Sequence, residues 1–246
     1  MYRLISNLLI ILALLVGAHK VLAYENDFAL KGGFIFAESK FNKLDDDAPE
    51  YEEREETKSF GVHTSFSYTW TKVETGFESR ITLGKEAQLS FSSKGETIEG
   101  RGSIRSVDIT PFVKVRSKTF HFPQKVQSYF NTLNLTPWYA YFKLGPSWMI
   151  QSVNLDKFSI DAELRENHKI SYESVGFSLS IGIEEDLTYK TEHPCFFEVS
   201  VSAYESYKVS LVDTTDSKEI NILEQRDAKQ DIKTFQLMFI IGMTFF

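Results

Sequence analysis

Val175-Gly176-Phe177-Ser178-Leu179-Ser180-Ile181-Gly182-Ile183 alternates without a break. Val175, Phe177, Leu179, Ile181 and Ile183 form one face, and Gly176, Ser178, Ser180 and Gly182 the other. Period two is the repeat of an extended strand with one apolar face. Phe197, Val199, Val201 and Ala203 repeat it against Glu198, Ser200, Ser202 and Tyr204. Val73, Thr75, Phe77, Ser79, Ile81 and Leu83 alternate with Glu74, Gly76, Glu78, Arg80 and Thr82. Phe60, Val62, Phe66, Tyr68 and Trp70 alternate with Gly61, His63, Ser65 and Ser67. Val107, Ile109, Val113 and Val115 alternate with Asp108, Thr110, Lys114 and Arg116. Trp138, Phe142, Leu144, Trp148 and Ile150 alternate with Tyr139, Tyr141, Lys143, Ser147 and Gln151.

Extending this reading predicts eight strands, over residues 27–41, 59–70, 73–91, 96–116, 137–153, 171–189, 195–212 and 229–246. Their connections differ in character. Thr71-Lys72 and Lys190 to Pro194 are tight turns, and Ser93-Lys94-Gly95 closes a hairpin with unusually long arms. Asp45 to Glu56 is long and acidic, and 154–170 and 213–228 are polar. Short turns at one end and long loops at the other are the pattern of an up-and-down membrane barrel. Starting and ending on the same side requires an even strand number. Residues 117–136 break the pattern. They could hold a short helix after Pro123, with Val126, Tyr129, Phe130 and Leu133 on one face, or another strand pair, which would make ten.

The apolar face points inward in a soluble barrel and outward in a membrane barrel. Three features favour the membrane. The polar face is rich in Ser and Gly. Its charges are mixed, Lys31, Arg80, Lys114 and Lys143 against Glu74, Glu78, Asp108 and Glu198. With His63 they are expected to form a paired polar network filling a narrow lumen. Aromatics also sit near strand ends (Trp70, Trp138, Trp148, Tyr68 and Tyr189), where interfacial girdles lie. The expectation is an all-β chain: an eight-stranded antiparallel up-and-down transmembrane β-barrel with long extracellular loops.

The 246 residues are 42% hydrophobic, with 21 Phe and 11 Tyr, which excludes a disordered chain. Residues 1–23 read as a secretory signal peptide: Arg3, an apolar run from Leu4 to Gly17, then Val21-Leu22-Ala23. The alternative is a membrane anchor, but the apolar run is short of the ~20 residues that a spanning helix needs. Residues 24–246 would then be the barrel, and no later stretch is apolar enough for a spanning helix. Loss of Arg3 and Lys20 lowers Lys and Arg from 27 to 25 against 34 acidic residues, a net charge near −9 that argues against nucleic acid as a partner. Cys195 is the single cysteine, so no internal disulfide forms.

Chemistry is sparse. His63, His121, His168 and His193 lie in separate elements, without zinc spacing or a phosphate-binding glycine loop. No catalytic residue, metal site or cofactor is expected. His63 and Ser65, two apart on one face, are the one nucleophile–base pair the sequence offers, with Glu74 or Glu78 as orienting groups; hydrogen-bonded lumen filling is the favoured reading of both. Glu74 and Glu78 together invite a general acid–base reading, which lumen pairing also absorbs. The acidic segment 45–56 could hold a divalent cation but lacks the EF-hand spacing.

Phe246 closes an alternating final strand. That ending resembles the assembly signal of bacterial outer-membrane barrels. Counting back from Phe246 by twos gives Thr244, Gly242, Ile240 and Met238; the other phase, Phe245, Met243, Ile241, Phe239, Leu237 and Phe235, is more apolar, so the facing of the last strand stays open. Thr136-Pro137-Trp138-Tyr139-Ala140-Tyr141-Phe142-Lys143-Leu144-Gly145-Pro146 and Ile109-Thr110-Pro111-Phe112-Val113-Lys114 are similar to strands of the small outer-membrane barrels, the group of OmpX, OmpW, the opacity proteins and the OmpA membrane domain. The resemblance implies a bacterial outer-membrane location. It implies contact with outer-membrane lipid and lipopolysaccharide, and barrel-assembly machinery engaging the last strand. It also implies a non-enzymatic structural or surface-interaction role through the loops, with an extracellular protein partner. Alternatives are a narrow channel or transporter of small apolar molecules, a lipid-modifying enzyme, and a soluble lipocalin-like binder.

Overall fold

The computed structural model describes residues 28–41, 55–70, 72–93, 96–122, 137–160, 163–165, 168–186, 193–213, 219–221 and 232–245. Eight long strands dominate: β1 (Phe28–Phe41), β2 (Glu55–Trp70), β3 (Val73–Ser93), β4 (Glu96–Phe120), β5 (Trp138–Ile160), β7 (His168–Glu185), β8 (Cys195–Asp213) and β10 (Ile232–Phe245). Two three-residue strands, β6 (Glu163–Arg165) and β9 (Glu219–Asn221), extend the hairpins on β5 and β8. Every pairing is antiparallel, and β10 bonds both β8 and β1. Over the span that all eight long strands share, the sheet therefore closes into a barrel, the arrangement that satisfies ladder groups from within.

The predicted strands are all present, with shifted ends. The second starts at Glu55, so Glu55 and Glu56 leave the acidic loop. The fourth runs on to Phe120, the fifth to Ile160, the sixth covers 168–185 and the last starts at 232. The polar intervals hid these ends because strands that rise past an apolar belt lose their alternation. The acidic residues 45–54, Tyr189, Phe246 and residues 123–136 lie outside the described residues.

The outer surface is apolar on every long strand: Phe34, Phe60, Phe77, Ile109, Phe142, Ile181, Phe197 and Phe239 are all exposed, Phe34 by 67%. The polar phase points inward and is buried. Burial is thus inverted relative to a soluble barrel. The last strand's phase is also fixed: Phe245, Met243, Ile241 and Phe239 face out, while Thr244, Ile240 and Met238 face in. Trp148 is exposed on the belt, but Trp138 is fully buried, packed against Phe122 and Phe197. Trp138 is therefore not a girdle residue, because aromatics around it cover its ring.

Pro111 and Pro146 stand in the middle of adjacent strands, where proline ordinarily disrupts a sheet. The register on either side, Ile109↔Trp148 and Val113↔Leu144, sets them opposite each other. A Cβ added at Gly145 would meet the Pro111 carbonyl, so the Pro111 polar groups point toward β5. In an antiparallel pair, residues whose groups point at each other share both bonds. The two missing N–H groups thus fall at one rung, and the ladders from Pro111's other side to β3 and Pro146's other side to β7 continue.

Candidate functional site: the ionic lumen

Strand alternation delivers one inward side chain every second residue, and barrel closure brings residues of distant strands together. Near the short-turn end, Lys31 Nζ donates to Glu184 Oε2 at 2.7 Å and lies 3.2 Å from Glu74 Oε1. Lys114 Nζ donates to the same Glu184 oxygen at 2.5 Å and lies 2.9 Å from Glu74 Oε2. Arg116 donates to Glu74 Oε2 at 2.5 Å, and the Ser67 hydroxyl to Glu74 Oε1 at 2.7 Å. Thr244 donates to Glu184 at 3.2 Å. Two carboxylates thus face three cations. The Lys114 ammonium also lies 4.1 Å from the centre of the Tyr141 ring, a cation–π contact.

One layer up, Lys143 Nζ donates to Glu78 Oε2 at 2.6 Å and to both Glu198 oxygens at 2.7 and 2.8 Å. Arg80 donates to Glu78 Oε1 at 2.5 Å and to the Ser178 and Ser202 hydroxyls. His63 donates from Nε2 to Glu78 Oε2 at 3.1 Å. The Tyr141 hydroxyl donates to Glu198 at 2.9 Å. Above this, Asp108 accepts from the Thr110 and Ser147 hydroxyls at 2.8 Å each, and from Tyr204. A Ser ladder, Ser178–Ser202 and Ser180–Ser200, lines the facing wall.

The structure therefore brings eight of the nine predicted lumen residues, Lys31, His63, Glu74, Glu78, Arg80, Lys114, Lys143 and Glu198, into two adjoining ionic layers. Asp108 stands one layer above, tied to hydroxyls. All nine are almost entirely buried. Sequence reasoning put Arg116, Tyr141 and Tyr204 on the polar face without naming them in the network, and it missed Glu184, which lies on the polar phase of a strand already identified, so the alternation alone could have added it.

Two inward patches are not polar. Ile35, Ala37, Phe196, Met238 and Ile240 form a buried apolar cluster on the β1–β8–β10 wall, and Phe196 packs against the His63 ring at 5.7 Å. Toward the long loops, Ile104, Met149, Val153, Ile170, Tyr172 and Val209 are buried. An eight-stranded interior is just wide enough to be filled by side chains, and this one is filled by ions in the middle and apolar groups above them. His63 and Ser65 share a face as predicted, but His63 bonds Glu78, and both residues are buried in the network. Among the described residues no group of three or more His, Cys, Asp and Glu is placed to hold a metal ion.

No known family matches the chain, and no curated protein does. Among solved structures it is similar to the outer membrane protein OprG from Pseudomonas aeruginosa, at 15% identity and TM-score 0.41, over 89% of this chain and 94% of that one. It is similar to Neisserial surface protein A at 12% identity and TM-score 0.39, over 89% and 96%. It is also similar to the outer membrane protease OmpT from Escherichia coli, at 8% identity and TM-score 0.42, over 91% and 97%.

Proposed function

We propose that the chain is an integral bacterial outer-membrane barrel with a sealed lumen, and that its role is structural or surface-interactive, exercised through the long-loop end. One observation carries this reading: every long strand turns large apolar side chains outward while the charged residues pair inside. A soluble monomer rarely exposes apolar patches beyond a few hundred Å². A hydrocarbon solvent removes that cost, and antiparallel closed barrels are the sheets it tolerates. The sealed interior counts against the channel reading, because side chains from opposite walls touch across the middle. It also counts against the lipid-modifying reading, because His63 and Ser65 are walled off from the outer surface.

The long-loop end supports an interaction role. The β3–β4 hairpin has arms of 21 and 25 residues, and the β3–β2 pairing stops at Leu83. The stretch of β3 beyond it bonds β4 alone among the described residues, and a free strand edge can accept a strand from a partner. In the same reading, assembly machinery engages β10, whose Phe245 faces outward.

The test is gel mobility of protein from the outer-membrane fraction, cold against boiled. A faster-migrating cold band is expected. A band unmoved by boiling, with the protein in the soluble periplasm, would overturn the reading. In planar bilayers the same protein is expected to give no discrete conductance steps, and reproducible steps would restore the channel.

A further inference from the structure

The β3–β4 hairpin rises past the wall on its β2 side. The β2–β3 pairing ends at Phe60↔Leu83, while β3 and β4 stay paired out to Ser93↔Glu96. The ladder fixes which backbone groups β3 turns away from β4. Arg116 N donates to the Lys72 carbonyl at 2.8 Å, so the even-numbered residues of β4 are the ones that bond β3. The bulge between Gly84 and Ala87 adds one residue to β3 and shifts its phase. Beyond it, Gly102, Gly100, Ile98 and Glu96 meet Ala87, Leu89, Phe91 and Ser93. The N–H and C=O groups of Gln88, Ser90 and Ser92 therefore point away from β4, where no described strand pairs with them.

Native sheets blunt such edges with lysine, proline or short length. From Ala87 to Ser93 this one has no charged residue and no proline. Its pattern is also its own complement. Antiparallel pairing of two copies about a two-fold at Ser90 sets Gln88 opposite Ser92 of the second copy, and Ser90 opposite Ser90 of the second copy. Those positions carry the backbone bonds. Between them, on either side of the axis, Leu89 stands opposite Phe91 of the second copy. These are the closely spaced positions where an aliphatic and an aromatic residue stabilise a strand pair. No like charges meet.

We infer that residues 88–92 of β3 are a homotypic docking strand, whose partner is the same edge of a second copy of this chain. The inference rests on the interaction reading above and names its partner. Symmetry also fixes where the second copy stands. The two-fold between antiparallel strands is perpendicular to their sheet, so it inverts the second barrel. Copies in one membrane present β3 running the same way and cannot form these rungs. The partner therefore comes from a facing membrane. Allowing for the bulge, Ser90 lies about 20 Å along the strand past Leu83, or about 15 Å above the apolar belt at a ~40° tilt. The two belts then stand about 30 Å apart, so the contact needs cells with short surface sugars.

Disulfide trapping tests the register. The full-length barrel, with Cys195→Ala, is placed in the outer membrane of cells with truncated lipopolysaccharide, and mild oxidant is added to pelleted or to dilute cells. Ser90→Cys should give a covalent dimer in the pellet, because directly bonded partners lie ~5.5 Å apart, within disulfide reach. Dilute cells should give none. Gln88→Cys and Ser92→Cys should each give none alone, and should link when the two populations are pelleted together. Adding Gln88→Pro to Ser90→Cys removes an edge donor without touching the β4 ladder, and should cut the yield about tenfold. Ser90→Cys links that form equally in dilute cells, or Gln88→Cys self-links of equal yield, would overturn the pairing. Links that appear only after residues 45–52 are deleted would overturn it too, and assign the edge to the chain's own acidic segment. No link at all, with the cold band intact, sinks the homotypic partner alone. Failure of the outer-membrane reading shows separately, as a band whose mobility boiling does not alter.

Discussion

Gly182 has no side chain because the Tyr141 ring occupies its place. A Cβ there would lie 2.5 Å from both the Tyr141 hydroxyl and the Phe197 carbonyl oxygen. Only hydrogen at that position lets the tyrosine cross the wall and donate to Glu198. Gly182→Val should therefore cost about 1–3 kcal/mol through overpacking, read as a lower urea midpoint for the cold-to-boiled mobility change. Glu184 is more demanding still. It accepts from Lys31, Lys114 and Thr244 at once. Glu184→Ala leaves Lys31, Lys114 and Arg116 to share Glu74 alone in a buried layer, and loss of one partner of a buried ion pair costs about 3–5 kcal/mol. The same unfolding assay should show a larger drop than for Gly182→Val. An equal or smaller drop would mean that water replaces the carboxylate at little cost.

At the scale of the strand, alternation made the architecture legible, and its limits explain what was missed. Wherever a strand crosses the apolar belt, one phase is greasy and the other small or charged, and the reading of Val73–Leu83 or Val175–Ile183 holds residue by residue. Past the belt both phases become polar, so the extensions of β4 to Phe120 and of β5 to Ile160 carried no signal. In β10 both phases are apolar, because Ile240 and Met238 fill the lumen against Ile35 and Phe196. Hydropathy could not choose a face there; closure against β1 and β8 does. The candidate residues were legible as a face, but their pairings were not. Lys31 and Glu184 are 153 positions apart, and which residues meet across the lumen depends on the stagger with which the sheet closes. The long β3–β4 hairpin gives a prediction at this scale. Replacing residues 90–99 by an Asn-Gly turn, which leaves the Leu89↔Gly100 rung next to the turn, removes rungs remote from the ionic layers and should leave the heat-dependent mobility unchanged. Loss of the cold band would show that the tip helps to hold the barrel.

At the scale of the whole molecule, the lumen's charges balance among the described residues: Lys31, Arg80, Lys114, Arg116 and Lys143 face Glu74, Glu78, Asp108, Glu184 and Glu198. The distribution among strands is less even. The β3–β4 hairpin cancels its own charges. β1 and β5 each bring one lysine, and β7 and β8 each bring one glutamate. Lys31 on β1 finds Glu184 on β7, and Lys143 on β5 finds Glu198 on β8. Neither pair joins neighbouring strands of the ladder. A partly inserted sheet would thus hold unneutralised ions in hydrocarbon, at roughly 2.5–3.5 kcal/mol each even on the lenient insertion scale. Neutralisation and closure become one event, so the route into the bilayer has no comfortable halfway point. The chain enters as a nearly complete cylinder or waits at the surface.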